Sequence, residues 1–253
     1  MYNHYGELAT TVYELTKPAG ASLNGDIDYY MERLEGITGP ILEAGVGSGR
    51  MLIPLLEEGF HVEGIDQSKD MLEACQKNLA THHLSAPIYQ DDLALFSIHD
   101  NYYDAIIMPT STFCLIQTEE LANQVLENFH RHLKPNGKII IDLDLPFYPE
   151  LGESSTTSFP LSSKELITYE KKIVEIDWLK QHTIYHLTYA KWVEGELVKQ
   201  ELQQFLLRWY GLNEFKLMLE KVGFQDISIS SDYEFDVHPV DSNQTITFEA
   251  IKK

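Results

Sequence analysis

The sequence is short of cysteine, of basic residues and of long apolar runs, and each shortage argues against a class of protein. Two cysteines, Cys75 and Cys114, among 253 residues leave no basis for a disulfide framework or a thiolate metal site. A reducing, cytoplasmic setting is the expectation. Lys and Arg number 19 against 39 Asp and Glu, a formal net charge of −20. Nucleic-acid binders gain affinity by neutralising phosphates, and no Lys/Arg stripe concentrates positive charge here. No nucleic-acid partner is therefore expected, and the charge reads as an aid to solubility. No apolar run approaches the roughly 20 residues of a membrane-spanning helix, so no membrane contact is expected. Residues 1–18 lack the charged start and apolar centre of a secretory leader. What is present is enough for a core: 43% of the residues are hydrophobic and 11% aromatic.

From residue 40, short apolar runs alternate with helical patterns, the mark of a parallel sheet with helices packed on it. Strands are predicted at 40–44, 60–65, 87–90, 103–108 and 138–145. Helices are predicted at 48–58, from Ser68 as an N-cap through Met71, Leu72, Cys75 and Leu79, and from Thr118 along Leu121, Val125, Leu126 and Phe129. Lys134-Pro135-Asn136-Gly137 reads as a turn. Residues 147–163, rich in Ser, Thr and Pro, read as loop. Over 165–210 the alternation becomes two-residue, with Glu194-Gly195 as a hairpin signal, so about three antiparallel strands are expected. A helix over 213–222 capped by Gly223, then strands at 227–233 and 245–251, complete the chain. The resulting fold class is α/β: a Rossmann-like, seven-stranded, mostly parallel sheet with helices on both faces, plus an antiparallel β insertion after the fifth strand. Residues 1–146 and 211–253 would form the core, with an N-terminal helical cover. Residues 147–210 would form the insertion, supplying a lid, substrate contacts or dimer contacts.

Gly45-Val46-Gly47-Ser48-Gly49 lies between the first strand and its helix, where glycines let the backbone turn tightly and approach a ligand. The dinucleotide fingerprint G-x-G-x-x-G would put its third glycine at position 50, which is Arg50. This spacing argues against a pyrophosphate there and against the rival reading, an NAD(P)-dependent oxidoreductase. Asp66, ending the second strand about 20 residues on, is placed to accept hydrogen bonds from ribose hydroxyls. Asp92, after the third strand, is placed to accept from an adenine amino group or to cap a helix.

As an ordered set, Ile41-Leu42-Glu43-Ala44-Gly45-Val46-Gly47-Ser48-Gly49-Arg50, Gly64-Ile65-Asp66-Gln67-Ser68, Asp92-Leu93, Tyr103-Asp104-Ala105-Ile106-Ile107, His132-Leu133-Lys134-Pro135-Asn136-Gly137 and Gly223-Phe224 resemble the landmarks of class I S-adenosylmethionine-dependent methyltransferases. The resemblance implies S-adenosyl-L-methionine as cofactor and S-adenosyl-L-homocysteine as product. By it, Gly45, Gly47 and Gly49 would line the methionine part and Glu43 would orient the loop. Asp66 would hold the ribose, Gln67 and Met71 would flank the adenine, and Asp92 with Leu93 would recognise its edge. Thr110 falls where the family places backbone contacts, and Tyr13 lies in a segment resembling its N-terminal cover. A second rival, a non-catalytic cofactor-binding module, shares all of these features.

The methyl acceptor is expected to be a small, carboxylated molecule. Phe113, Arg208 and Tyr210 are the candidate substrate contacts, with Arg208 suited to a carboxylate. Asp142 and Asp144 project from the fifth strand, where some methyltransferases of this class hold a metal. The further oxygen ligands that a hard cation wants are missing, so no metal is expected. The sequence singles out no general base. A homodimer through the antiparallel strands is a further expectation.

Overall fold

The computed structural model describes residues 5–98, 102–146 and 150–253. Strands β1 (Ile41–Ala44), β2 (Val62–Asp66), β3 (Ile88–Gln90), β4 (Tyr103–Met108) and β5 (Leu133–Leu143) are joined by two later strands, β10 (Phe224–Ser231) and β11 (Ile246–Lys252). Together they form one sheet in the order β10-β11-β5-β4-β1-β2-β3. The first five strands run parallel, and β11 enters antiparallel between β5 and β10.

Side-chain alternation along the central strands separates two cores. Ile106, Met108, Ile139 and Ile141 face one side, where α5 (Glu119–His132) and α6 (Leu212–Val222) pack. Ala105, Ile107 and Ile140 face the other, against α2 (Asp26–Leu34), α3 (Leu52–Glu57) and α4 (Lys69–Thr81). The central strands are buried on both faces, which is why they read as continuous Ile-rich runs rather than as polar-apolar alternation. Two caps fall where the sequence puts them. Ser68 Oγ accepts from Met71 N at 3.2 Å, and Thr118 Oγ1 accepts from Leu121 N at 3.2 Å. Gly223, at φ 114°, ends α6.

The second sheet is antiparallel, in the order β6 (Ser154–Pro160), β7 (Glu165–Asp177), β8 (His182–Val193), β9 (Glu196–Arg208). Glu194 and Gly195 both have positive φ, 52° and 89°, as the two-residue turn between β8 and β9 requires. Helix α1 (Glu7–Thr16) lays Leu8, Ala9 and Val12 on Ile167, Leu187 and Tyr189 of this sheet. No helix among the described residues is long and apolar enough to cross a membrane.

Four expectations need correction. Residues 154–160, read as loop, form β6, because seven backbone pairings to β7 suffice for an edge strand whose side chains stay in water. The part of that loop at 147–149 lies outside the described residues. The helix expected from Ser48 begins at Leu52, because residues 48–51 are a turn held by the glycine loop. The turn at 134–137 is an excursion inside β5. Leu133 pairs with Tyr103 and Lys138 with Ala105, and Asn136 bulges out at φ 64°. The final strands begin at Phe224 and Ile246, the former three residues ahead of the hydrophobic pattern.

Candidate active site

Parallel strands present their carboxyl ends along one edge, and the loops leaving β1, β2, β3 and β4 meet there. They enclose a cleft of about 420 Å³ lined by Tyr13, Gly45, Gly47, Asp66, Gln67, Met71, Asp92 and Leu93, along with Tyr5, Met108 and Thr112. Eight of the eleven residues proposed from sequence for the cofactor thus share one cavity. Gly45 sits at φ +74°, and a Cβ on it would lie 2.5 Å from Thr112 Cγ2, so the loop passes the β4 turn at a distance only glycine allows. Asp66 ties the loop to β2: Gly47 N–H donates to Oδ2 at 3.0 Å and Ser68 N–H to Oδ1 at 2.8 Å. Asp92 Oδ1 accepts from Ala94 N at 2.8 Å, so this residue caps its own turn and lines the cleft as well.

The remaining three stand behind the wall. Gly49, at φ +86°, packs against α4, where a Cβ would approach Cys75 Sγ at 3.0 Å; it closes the fold under the loop rather than lining the cleft. Glu43 is buried beneath the loop with Oε2 unpartnered. Burial raises its carboxyl to about 8, the charges of Asp66 and Asp26 push the same way, and Arg50 opposes them. Thr110 anchors the turn after β4. Its N–H donates to Asp142 Oδ2 at 2.8 Å and its Oγ1 accepts from Arg50 at 2.7 Å. Thr110 and Ser111 are both left-handed, at φ 58° and 55°, a conformation costing on the order of 1–3 kcal/mol per residue that the surrounding bonds must hold.

Sequence reasoning missed the hub that does this. Arg50, noted only for not being glycine, is buried and pairs with Asp26 at 2.5 Å, donating also to Ala21 O at 2.7 Å. Asp26 in turn accepts from Leu23 N and Ile27 N at the start of α2. Asp142 is the second hub. Tyr30, Thr247, Tyr233 and the Thr110 amide all donate to it, and burial still holds its carboxyl up at about 6. Asp142 was singled out from sequence only as a possible metal ligand, and no local pattern marks either residue as a hub, since each partner is remote in sequence.

The expected substrate contacts divide. Phe113 and Tyr210 are fully buried and pack on each other and on Phe215, with centroids 5.4, 5.1 and 5.6 Å apart. The β4 turn folds Phe113 back into the core, and neither residue, both expected as substrate contacts, lines either of the two cavities of this site. Arg208 does face a cavity, one of about 920 Å³ between the antiparallel sheet and the ends of β5 and β11. Asp144, Glu153, Lys171, Tyr185 and Trp209 share its wall. The turn at 110–115 divides the two cavities, with Thr112 and Leu115 on the smaller and Cys114 on the larger.

The smaller cleft fits the cofactor expected from the sequence. The part of S-adenosylmethionine that must be recognised is rich in donors: an ammonium, two ribose hydroxyls and an adenine amine. The cleft meets them with the Asp66 and Asp92 carboxylates, a glycine cradle and, below it, the unpartnered Glu43 oxygen. Residues 41–137 match the family described as methyltransferase domain. Over those residues the chain carries a methyltransferase domain, with S-adenosylmethionine as its cofactor. Among its relatives, the putative methyltransferase YqeM of Bacillus subtilis (strain 168) is 27% identical, over 85% of this chain and 84% of that protein. A glycine/sarcosine N-methyltransferase of Aphanothece halophytica is 26% identical, over 79% and 72%. The sugar N-methyltransferase KedS8 from Streptoalloteichus has the same fold, with a TM-score of 0.76 at 16% identity, over 98% of this chain and 94% of that one.

Proposed function

We propose that this methyltransferase binds S-adenosylmethionine in the 420 Å³ cleft and methylates a nitrogen atom of a small molecule held in the 920 Å³ cavity. The convergence of Gly45, Gly47, Asp66, Met71, Asp92 and Leu93 on one cleft is the observation that carries the cofactor site. Bound there, the cofactor supplies an activated methyl group on a sulfonium. The protein's part is to bind, align and exclude water. Asp66 and Asp92 accept from the ribose and adenine, the Gly45–Gly49 loop takes the methionine part with Glu43 behind it, and Gln67 and Met71 flank the ring. Tyr13 and the Thr110 turn close the sides. Good alignment of nucleophile and methyl is worth roughly 7–11 kcal/mol of barrier, which leaves little for a dedicated catalytic group. Nitrogen is favoured because the glycine/sarcosine and sugar enzymes named above both act on nitrogen.

The antiparallel sheet, β6 to β9, serves as the roof of the acceptor cavity, and its edge strands β6 and β9 are where a second copy of the chain would pair. Sedimentation velocity gives the oligomeric state directly. The −20 charge disfavours nucleic acid as the acceptor. The buried, unpaired thiols of Cys75 and Cys114 agree with a cytoplasmic location.

The test is calorimetric titration of S-adenosylhomocysteine and NAD⁺. Micromolar binding of the former alone is expected, about −8 kcal/mol. Asp66→Ala should weaken it tenfold or more, since hydrogen bonds to a charged acceptor are worth roughly 1.5–3 kcal/mol each. Gly45→Ala should weaken it further, its Cβ being forced onto Thr112 in a left-handed backbone. Binding of NAD⁺ instead would replace this reading with an oxidoreductase.

A further inference from the structure

Two loops bear on the wall between the cavities, and one carboxylate joins them. The turn after β4 has Thr112 on the cofactor cleft and Cys114 on the larger cavity. Its left-handed residues Thr110 and Ser111 persist only where surrounding bonds hold them. One such bond comes from Asp142, fully buried, whose Oδ2 accepts from the Thr110 N–H at 2.8 Å. The other loop, residues 232–245, leads from β10 to β11, and its Ser242, Asn243 and Gln244 line the larger cavity.

Tyr233 is where this second loop meets the carboxylate. Its hydroxyl donates to Asp142 Oδ2 at 3.1 Å, the same oxygen that takes the Thr110 amide. Tyr30 and Thr247 donate to the other oxygen, Oδ1. Tyr233 sits at φ 61°, a left-handed conformation that bulky side chains rarely adopt, and Asp232 before it is left-handed as well, at φ 48°. The ring packs on Tyr29 with centroids 5.6 Å apart, so ring and hydroxyl are both fixed. Burial and the Asp142 charge raise its phenol, which therefore remains a donor. Asp232 closes the neck of the loop, accepting from Gln244 Nε2 at 2.8 Å and from Thr245 N at 3.0 Å. A bonded path thus runs from Gln244 on the acceptor wall through Asp232, Tyr233, Asp142 and Thr110 to the turn on the cofactor wall.

We propose that Tyr233 is a positioning residue for methyl transfer: through Asp142 it fixes the turn between the two cavities and ties that turn to the loop on the acceptor side. This rests on the cofactor and acceptor sites proposed above. Tyr233 is on the wall of neither cavity, so it acts at one remove from the reacting groups. Its lever is the charge on Asp142, because a carboxylate is a far better acceptor than a carboxylic acid. Burial raises that carboxyl to about 6, and the four donors keep it from rising further. The titratable groups around it are Tyr30 of α2, Cys114 after the β4 turn, Asp144 on its own strand and Glu249 one position along the same face of β11. Asp26 and Arg50 lie beyond Tyr233.

The test is calorimetric titration of S-adenosylhomocysteine across pH, read beside hydrogen exchange of the same complexes. A bound ligand needs the turn set and so favours the charged Asp142. Affinity for the wild type should therefore fall as pH drops through about 6, where Asp142 takes up a proton. Tyr233→Phe keeps the ring but removes one donor to the charged form, so the fall should begin about one pH unit higher. A packing role alone would leave that midpoint in place. Thr247→Val, which removes a donor from Oδ1, should move the midpoint as well, and exchange tells the two donors apart. In the wild type and in Thr247→Val, S-adenosylhomocysteine should slow exchange over 110–115 and over 232–244 together. In Tyr233→Phe the slowing should be confined to 110–115. An unmoved midpoint in Tyr233→Phe overturns the proposal while the cofactor reading stands. So does protection of 232–244 that is absent from the wild type or survives in Tyr233→Phe. If S-adenosylhomocysteine itself fails to bind the folded wild type, it is the cofactor reading that falls.

Discussion

Glu43 shows how one buried atom can carry a pH dependence for the whole molecule. Its folded-state pKa is raised to about 8, so the native protein keeps a proton that the unfolded chain gives up at ordinary carboxylate pH. The stabilising contribution is therefore complete below about pH 4.5 and is lost as pH rises through about 8. We expect stability in urea to fall between pH 5 and 8.5 by on the order of 4 kcal/mol more in the wild type than in Glu43→Gln. Equal slopes in the two proteins would assign the effect elsewhere. The sequence placed Glu43 correctly, ending an apolar strand before glycines, but gave no sign that its carboxyl would be half unpartnered. That depends on Arg50 turning away to Asp26.

Among the elements, the start of α2 and the turn after β4 are joined through Arg50, which reaches Asp26 on one side and Thr110 on the other. Removing one member of a buried ion pair leaves the other charge uncompensated, at a cost of about 3–5 kcal/mol. Arg50→Ala should lose about that much stability, and Arg50→Met with Asp26→Leu much less, in a double-mutant cycle read by urea denaturation. Additive losses would mean that the pair is not coupled as its 2.5 Å separation implies. The strongly periodic helices α4 and α5 were legible to within a residue or two because each buries one regular stripe. Strand β6 was not, since its exposed Ser and Thr side chains carry no burial pattern. Its partner's backbone alone defines it.

For the molecule as a whole, the N-terminal segment links the cofactor cleft to the antiparallel sheet. The Tyr5 carbonyl accepts from Ser68 Oγ at 2.9 Å, and the Tyr5 ring packs edge-on against Tyr13 and Phe205. Leu8 N–H reaches Glu201 at 2.9 Å, and Lys199 pairs with Glu7 at 2.6 Å. Ligand in the cleft should therefore slow hydrogen exchange in α1 and in the 201–208 part of β9 together. Exchange there that ignores S-adenosylhomocysteine would show that the segment is a fixed strut and not a cover.

By itself the sequence determined the α/β alternation, the seven-stranded sheet, the glycine loop and the acids after β2 and β3. All of these are local: a period of two or of 3.6, or a turn residue at a fixed offset from a strand. Only the tertiary structure decided that Phe113 and Tyr210 are core, that Gly49 serves packing, and that Arg208 and Asp144 face one cavity. Those outcomes depend on contacts between residues dozens of positions apart, and single-chain periodicity holds no record of which distant element will cover a given side chain.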